Sequence, residues 1–166
     1  MNKQESVVLF QNLQKLANLK GVKFAYAVSR NSALLKEEIE ALEKAILPSK
    51  EFTEADEKRA SLAKECAKKD EKGEPMTITE NGVSKYVMED EKAFEEKFKV
   101  LKEENKELWE ARENQIKEYN ELLKTESTVK LHKITLSDVP TDITVGQMAG
   151  IQELIGEAIP SPYPTK

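Results

Sequence analysis

The sequence predicts a mainly α-helical protein with a small β component (α+β): an antiparallel helical coiled-coil stalk, a β-hairpin at its tip and a small head formed by the N- and C-terminal elements. Three observations predict it. Residues 91–124 contain no Gly or Pro and place apolar side chains at helical spacing. Residues 30–69 form a second charged stretch with helical spacing. Between them, an Asn-Gly pair is flanked by short alternating segments, which is a strong local signal for a hairpin.

The stretch 91–124 is predicted to be one unbroken helix, roughly 50 Å long at a rise of about 1.5 Å per residue. Its apolar side chains recur at steps of three and four residues and form a stripe: Phe94, Phe98, Leu101, Leu108, Tyr119 and Leu122. A stripe of this length needs a partner helix to cover it. We expect residues 30–69 to run back along it as that partner.

Three polar residues, Asn105, Arg112 and Gln115, occupy positions in the same stripe. Asn105 and Arg112 can face a partner or a shared oligomer axis, where a polar side chain fixes the register at a cost in stability. Alternatively, the helix rotates slightly and turns Trp109 and Ile116 inward. The second arrangement is the simpler expectation.

The N-terminal part is predicted to begin with an amphipathic helix at about 3–19, which Gly21 ends. Residues 22–28 fit two structures. Their alternation favours a strand, whereas the helical sequence that follows favours a buried helix start. A helix with apolar residues at 35, 39, 42 and 46 comes next, and Pro48 kinks or ends it. A second helical segment, about 51–69, has a smaller apolar face.

Two short strands, 76–79 and 84–88, are predicted on either side of the Asn-Gly pair, after a turn at 70–75. Asp90 is well placed to cap the helix that follows. Residues 128–136 alternate like a strand, and if they form one, the slip at 132–133 allows a bulge there. Thr144 and Gln147 form a capping box, which predicts a final helix at about 145–157.

These elements predict one domain over 1–166. The head comprises 1–29 and 126–158, the stalk comprises 30–125 with the hairpin at 75–89, and a tail follows at 159–166. The three prolines of the tail are typical of an extended terminus, and a docking peptide with polyproline character is the alternative.

The composition limits the partners. Charged residues make up 34% of the chain and the net charge is −5, with Lys and Glu interspersed rather than clustered. Nucleic acid is not an expected partner, because it requires a clustered basic face. No run approaches the length of a membrane span, so no membrane is expected and a cytoplasmic location is predicted. The single cysteine, Cys66, allows no intramolecular disulfide and is expected to pack on a helical face.

No constellation of residues predicts catalysis. His132 is the only histidine, so a zinc site lacks ligands and a Ser-His-carboxylate arrangement lacks a nucleophile elbow. The glycines are isolated and form no phosphate-binding loop. The paired carboxylates of 91–124 have lysine neighbours at helical spacing, which salt bridges explain. We therefore predict no enzyme, no catalytic residue, no cofactor and no metal.

An ordered series of segments carries a family resemblance: GVKFAYAVSRN at 21–31, LKEEIEALEKA at 35–45, KDEKGEP at 69–75, LLKTESTVKLHKITLSDVP at 122–140, and then 143–154. The series resembles small uncharacterised proteins encoded by bacteriophages and prophages, over about residues 20–156. The resemblance implies a phage-related origin and implies no catalytic residue. The helix–hairpin–helix plan also looks like that of prefoldin-type chaperones, in architecture only.

The expected function is that of a non-enzymatic phage or prophage accessory protein in the host cytoplasm. It would bind a protein partner, with a host-encoded defence factor as one candidate, and would form a homo-oligomer. The alternative is a chaperone or virion-assembly factor. A third hypothesis is an oligomer that sequesters a small nucleotide, for which the candidate residues are basic: Lys20, Lys23, Arg30, Lys130 and Lys133.

Overall fold

The computed structural model describes residues 1–16, 18–80 and 82–156. It is mainly helical, at 63% helix, with one small antiparallel two-stranded hairpin, which confirms the predicted fold class at this level. The described elements are, in chain order, α1 (Lys3–Gln14), α2 (Val22–Ile46), α3 (Lys50–Glu65), β1 (Thr77–Glu80), β2 (Val83–Tyr86), α4 (Glu91–Glu104), α5 (Lys106–Lys124) and α6 (Val145–Ala149). Short 3-10 turns cover Leu136–Asp138 and Gln152–Leu154. None of the described helices is both long enough and apolar enough to cross a membrane.

The chain divides into two compact units, and the single domain over 1–166 stays a prediction. Unit 1 comprises Met1–Ile46 with Glu118–Lys166, and unit 2 comprises Leu47–Lys117. Helix α5 contributes residues to both units. The predicted tail at 159–166 lies outside the described residues.

Unit 1 has a buried apolar core. Helices α1 and α2 pack against each other, and the segment after α5 adds further side chains to the same cluster. Its buried members are Leu9, Leu13, Leu16, Phe24, Ala27, Leu35, Ile39, Leu42, Ile134, Ile151 and Leu154. Asn2 caps α1 through a capping box with Glu5. The core therefore draws on both ends of the chain and on the middle of α2.

The start of α2 resolves the ambiguity at 22–28. The segment is helical, and Gly21 precedes it with φ +125°. Phe24 and Ala27 are buried, whereas Val22 is 90% exposed and Tyr26 is 60% exposed. The buried positions are three residues apart, which is helical spacing, so the strand alternative is wrong.

Two terminal helices are shorter than predicted. Helix α1 ends at Gln14 and not near 19, with the Lys15 N–H donating to the carbonyl of Asn12. The capping box of Thr144 and Gln147 is confirmed, but α6 covers only Val145–Ala149 of the predicted 145–157. Residues 146 and 150 are glycine, the weakest non-proline helix former, and the Gly150 carbonyl accepts a hydrogen bond from Asn12 Nδ2 at 3.3 Å. Residue 157, the last of that prediction, is not described.

The predicted strand at 128–136 is also wrong. The described residues there form one isolated bridge, Ile134 to Ile155, and no ladder. The side chain of Asn31 bonds instead to both backbone groups of His132, which takes the place of a neighbouring strand. Residues 128–135 are consequently irregular, and a 3-10 turn follows at Leu136–Asp138.

Pro48 ends a helix and does not kink one. Helix α2 stops at Ile46, and α3 begins at Lys50 after Ser49, whose Oγ accepts from the Phe52 N–H at 3.1 Å. Helix α3 ends at Glu65 and not at 69, because Ala67 leaves the helix and bridges Met88. The sequence left open whether Pro48 kinks or ends the helix, and the structure shows two separate helices, α2 and α3.

The hairpin is confirmed in unit 2. Strands β1 and β2 pair antiparallel with Thr77 opposite Tyr86 and Glu80 opposite Val83, each within two residues of the predicted bounds. Gly82 has φ +78°, which suits glycine in the turn, and Asn81 lies outside the described residues. The turn at 70–75 is held by Asp70 Oδ1, which accepts from two backbone N–H groups.

The helix at 91–124 is interrupted, which corrects the prediction of one unbroken element. Asp90 caps α4 as expected, with Oδ1 accepting from the Ala93 N–H at 2.9 Å. Asn105, with φ −120° and ψ 28°, then separates α4 from α5. Its Nδ2 donates to the carbonyl of Leu101 at 2.9 Å, the same carbonyl that accepts its own N–H. This competition between side chain and backbone is the reason asparagine disfavours helix interiors.

Candidate interaction surface

An aromatic cluster lies on the helices of unit 2. Phe52 on α3 and Phe98 on α4 both contact Trp109 on α5 edge to face, with ring centroids 4.9 and 5.5 Å away, and Phe94 stacks on Phe98 at 5.9 Å. Each of the four rings is only half-buried. Leu101 is the one large apolar side chain that is buried among the described residues of this unit; the others are alanines. Unit 2 therefore presents aromatic surface that its own helices do not cover.

Trp109 carries an unsatisfied hydrogen-bond donor within this cluster. Its indole Nε1 is buried and has no hydrogen-bond partner among the described residues. Its two aromatic neighbours, Phe52 and Phe98, offer no oxygen or nitrogen acceptor in their side chains. An unpaired buried donor costs on the order of 1–3 kcal/mol.

The polar residues of the predicted stripe have partners inside unit 2. The Arg112 guanidinium lies over the Phe52 ring at 5.8 Å, and its Nη1 donates to Gln115 Oε1 at 2.7 Å. Gln115 Nε2 in turn donates to the Leu47 carbonyl at 2.9 Å. Trp109 packs inward as the rotated arrangement predicted, but Ile116 stays 42% exposed. The rotated arrangement is therefore right for one residue and wrong for the other.

Within each unit, residues from 91–124 contact helices that include residues from 30–69, and the antiparallel stalk stays a prediction. In unit 2, α3 packs against α4, and its Phe52 reaches α5. In unit 1, Tyr119, Leu122 and Leu123 of α5 pack against the core to which α2 contributes. Residues of the stripe thus face helices from 30–69 in both units.

The hairpin carries exposed apolar side chains. Met76, which precedes β1, is 39% exposed, and Ile78 within β1 is 46% exposed. All four residues of β1 are exposed. Since the sheet has two strands, each strand has one edge without a described partner strand.

A separate apolar groove lies in unit 1. It encloses about 510 Å³ between α1, α2 and α5. Apolar side chains of all three helices line it: Val7, Phe10, Ile39, Leu42 and Tyr119. Sequence analysis did not identify this groove, since periodicity places these residues on an apolar face but gives no measure of how completely neighbouring helices cover that face.

The five basic residues of the nucleotide hypothesis lie in unit 1, and they differ in whether they make intramolecular contacts. Lys23 Nζ is 3.2 Å from Asp138 Oδ1, and Lys133 Nζ donates to the carbonyl of Glu153. Lys20, Arg30 and Lys130 are exposed, with no ion pair to any residue in the described ranges. Two of the five, Lys23 and Lys133, therefore make intramolecular contacts.

The pKa of Asp138 is displaced in the folded chain. Hydrogen bonds from the Thr135 hydroxyl and from Lys23, followed by the Thr135 backbone N–H, hold the pKa of this carboxyl below its usual value of 3.8. The Thr135 Oγ1 to Asp138 Oδ2 distance is 2.8 Å. These contacts fasten the 3-10 turn at Leu136–Asp138 to the start of α2.

The candidate chemical residues lie apart. His132 is exposed, and its ring meets that of Tyr26 edge to face at 5.5 Å. Cys66 is a free, half-buried thiol in unit 2 that follows the last residue of α3. Within the described ranges, His, Cys, Asp and Glu form no group that could hold a metal ion. Asn31, which fixes the backbone of His132, was missed by sequence analysis, although its position four residues from both Ala27 and Leu35 is a signal that it faces the core.

Comparisons with protein-family models, with curated proteins and with solved structures give no match to this chain.

Proposed function

We propose that this chain is a non-enzymatic accessory protein of a bacteriophage or prophage that acts by binding protein in the host cytoplasm. The proposed partners are a second copy of the chain and a host-encoded protein, such as a defence factor. The observation that supports binding most directly is the half-exposed aromatic cluster of unit 2: Phe52, Phe94, Phe98 and Trp109. Aromatic side chains that remain partly exposed mark protein interaction sites, where they provide large contact areas at low entropic cost.

The stalk, with a hairpin at its tip and a head at its base, is the proposed arrangement of the elements. Support comes from each unit separately. In unit 2, the segments at both ends of the hairpin are joined by the Ala67–Met88 bridge, directly after α3 and before α4. In unit 1, elements from both ends of the chain share one core.

Capture of host proteins by tagged full-length chain tests the proposal. Phe94→Gln should weaken capture of a specific host protein, because it removes one ring of the aromatic cluster at a half-buried position. Lys99→Gln, at an exposed position of the same helix, is the matched control and should capture the protein as the wild type does. Far-ultraviolet circular dichroism of both variants controls for folding.

Hydrogen exchange of the captured complex locates the contact. Slower exchange at 50–65 and 91–117 would support the aromatic cluster as the surface that is covered. A chain that sediments as a strict monomer across micromolar concentrations and captures no host protein refutes the proposed function.

The second candidate function is that of a chaperone or virion-assembly factor, which the exposed Met76 and Ile78 of the hairpin region favour. Exposed apolar side chains on a short hairpin can hold an unfolded client. Suppressed aggregation of a model client, lost in a Met76→Ser/Ile78→Ser variant, would support this function. No suppression at several-fold excess of the chain would refute it.

A further inference from the structure

The outward side of α2 has an organised surface that the core of unit 1 does not use. Side chains at intervals of three or four residues are all exposed there, and we call them the outer face of α2: Val22, Tyr26, Arg30, Ala33, Glu37 and Ala41. The buried residues of the helix lie on its other side: Phe24, Ala27, Asn31, Leu35, Ile39 and Leu42. Val22 and Tyr26 are large apolar side chains at 90% and 60% exposure. The Tyr26 ring also meets the His132 ring edge to face at 5.5 Å, so the outer face offers the part of Tyr26 that this contact leaves exposed.

The charged residues from Lys20 to Glu43 are divided by sign, and Lys44 in the last turn of α2 is basic again. From 20 to 36 the charged residues are all basic, and the outer face carries Arg30 there. From 37 to 43 they are all acidic, and the outer face carries Glu37. Arg30 and Glu37 lie at equal distances from the midpoint between Ala33 and Leu34, about 5 Å on either side at a rise of about 1.5 Å per residue. This surface is complementary in charge to itself when it is turned end for end.

We propose that the outer face of α2 pairs antiparallel with the same face of a second copy, around a two-fold axis at Ala33 and Leu34. This inference rests on the self-association in the proposed function and names the surface that carries it. Each Arg30 then faces Glu37 of the second copy, which gives two ion pairs in an isologous contact. The small side chain of Ala33 at the axis lets the helices approach to the usual spacing of about 8–10 Å.

The same symmetry covers the exposed apolar side chains. Tyr26 meets Ala41 of the second copy, and Val22 meets Ala45. Tyrosine and arginine are the residue types that most often dominate the energy of such contacts. One like-charged approach, Lys23 to Lys44 of the second copy, is reduced because Lys23 already pairs with Asp138 at 3.2 Å.

Charge reversal tests the pairing. Sedimentation equilibrium of the full-length chain across micromolar concentrations should show a reversible dimer that high salt weakens. Arg30→Glu and Glu37→Arg should each weaken dimerisation at least about tenfold, because each places two like-charged pairs at the contact. The double variant R30E/E37R restores opposite charges and should dimerise like the wild type. Lys99→Glu, an exposed reversal on α4, is the matched control and should leave the dimer unchanged.

The outcomes separate the pairing from the proposed function. If the chain dimerises but both single reversals leave the dissociation constant unchanged, the α2 pairing is wrong and self-association through another surface stands. If the double variant folds by circular dichroism but does not recover, the Arg30–Glu37 register is wrong and the pairing is overturned. If the wild type is monomeric throughout, the pairing is wrong, and capture of a host protein alone decides the proposed function.

Discussion

Replacing Asn31 with alanine should strongly destabilise unit 1. The side chain of Asn31 is fully buried, and its amide makes two hydrogen bonds to one residue of a distant segment. Its Oδ1 accepts from the His132 N–H at 2.7 Å, and its Nδ2 donates to the His132 carbonyl at 2.9 Å. The alanine variant loses both bonds and leaves a small cavity between α2 and the segment that contains His132.

The magnitude follows from these contacts. Each hydrogen bond contributes about 0.5–1.5 kcal/mol of net stability, and the lost packing adds on the order of 1 kcal/mol. The free energy of unfolding should therefore fall by about 2–4 kcal/mol, a large part of the 5–15 kcal/mol typical of a domain.

Urea denaturation followed by circular dichroism measures this loss, and amide hydrogen exchange at His132 should become faster in the variant. Asn105→Ala is the matched control. It removes one hydrogen bond, to Leu101 within its own helical region, and gains helix propensity, so it should change stability by less than about 1 kcal/mol. A loss below about 0.5 kcal/mol for Asn31→Ala, or unchanged exchange at His132, would refute the role assigned to Asn31.

Three further predictions concern local contacts. Gly150→Ala should destabilise the fold by about 1–3 kcal/mol, because the new Cβ would lie 2.9 Å from Asn12 Cγ. At Gly146 a new Cβ meets nothing within 4 Å, so Gly146→Ala should stabilise the fold by about 0.5–1 kcal/mol. Thermal unfolding that ranks the two variants the other way contradicts this prediction. Asp90→Ala should cost about 1 kcal/mol through loss of the α4 N-cap, measured by urea midpoint, and an unchanged midpoint would count against the cap. Because the pKa of Asp138 is lowered in the folded state, its stabilisation is present above the usual value of 3.8 and disappears as pH falls through the lower folded pKa. The melting temperatures of wild type and Asp138→Asn should thus converge in acid, and a constant difference down to the lowest pH would contradict the assignment.

The sequence predicts the elements whose signals are local. The Asn-Gly hairpin, the Asp90 cap and the Thr144–Gln147 capping box depend on residues within a few positions of one another, and the structure confirms all three. The helix at 22–28 stayed ambiguous, because alternation of apolar residues does not show which of them are covered. Burial of Phe24 and Ala27 by the rest of unit 1 decides it.

The errors arise where distant residues meet. The predicted strand at 128–136 fails because Asn31, about a hundred positions away, occupies the backbone groups of His132 that a strand would use. The final helix stops early at Gly150, where the backbone approaches Asn12 of α1. The groove of unit 1 and the proposed outer face of α2 were missed for the same reason, since both are defined by what the rest of the fold leaves uncovered.

Trp109 is the only tryptophan of the chain, and it lies in unit 2. Its fluorescence under selective excitation consequently reports on that unit alone, whereas the helical signal in circular dichroism averages over both. Melting curves recorded by the two methods coincide if the units unfold in one cooperative step and separate if each has its own transition. The fluorescence of Trp109, compared with circular dichroism, therefore shows whether the two units unfold together or separately.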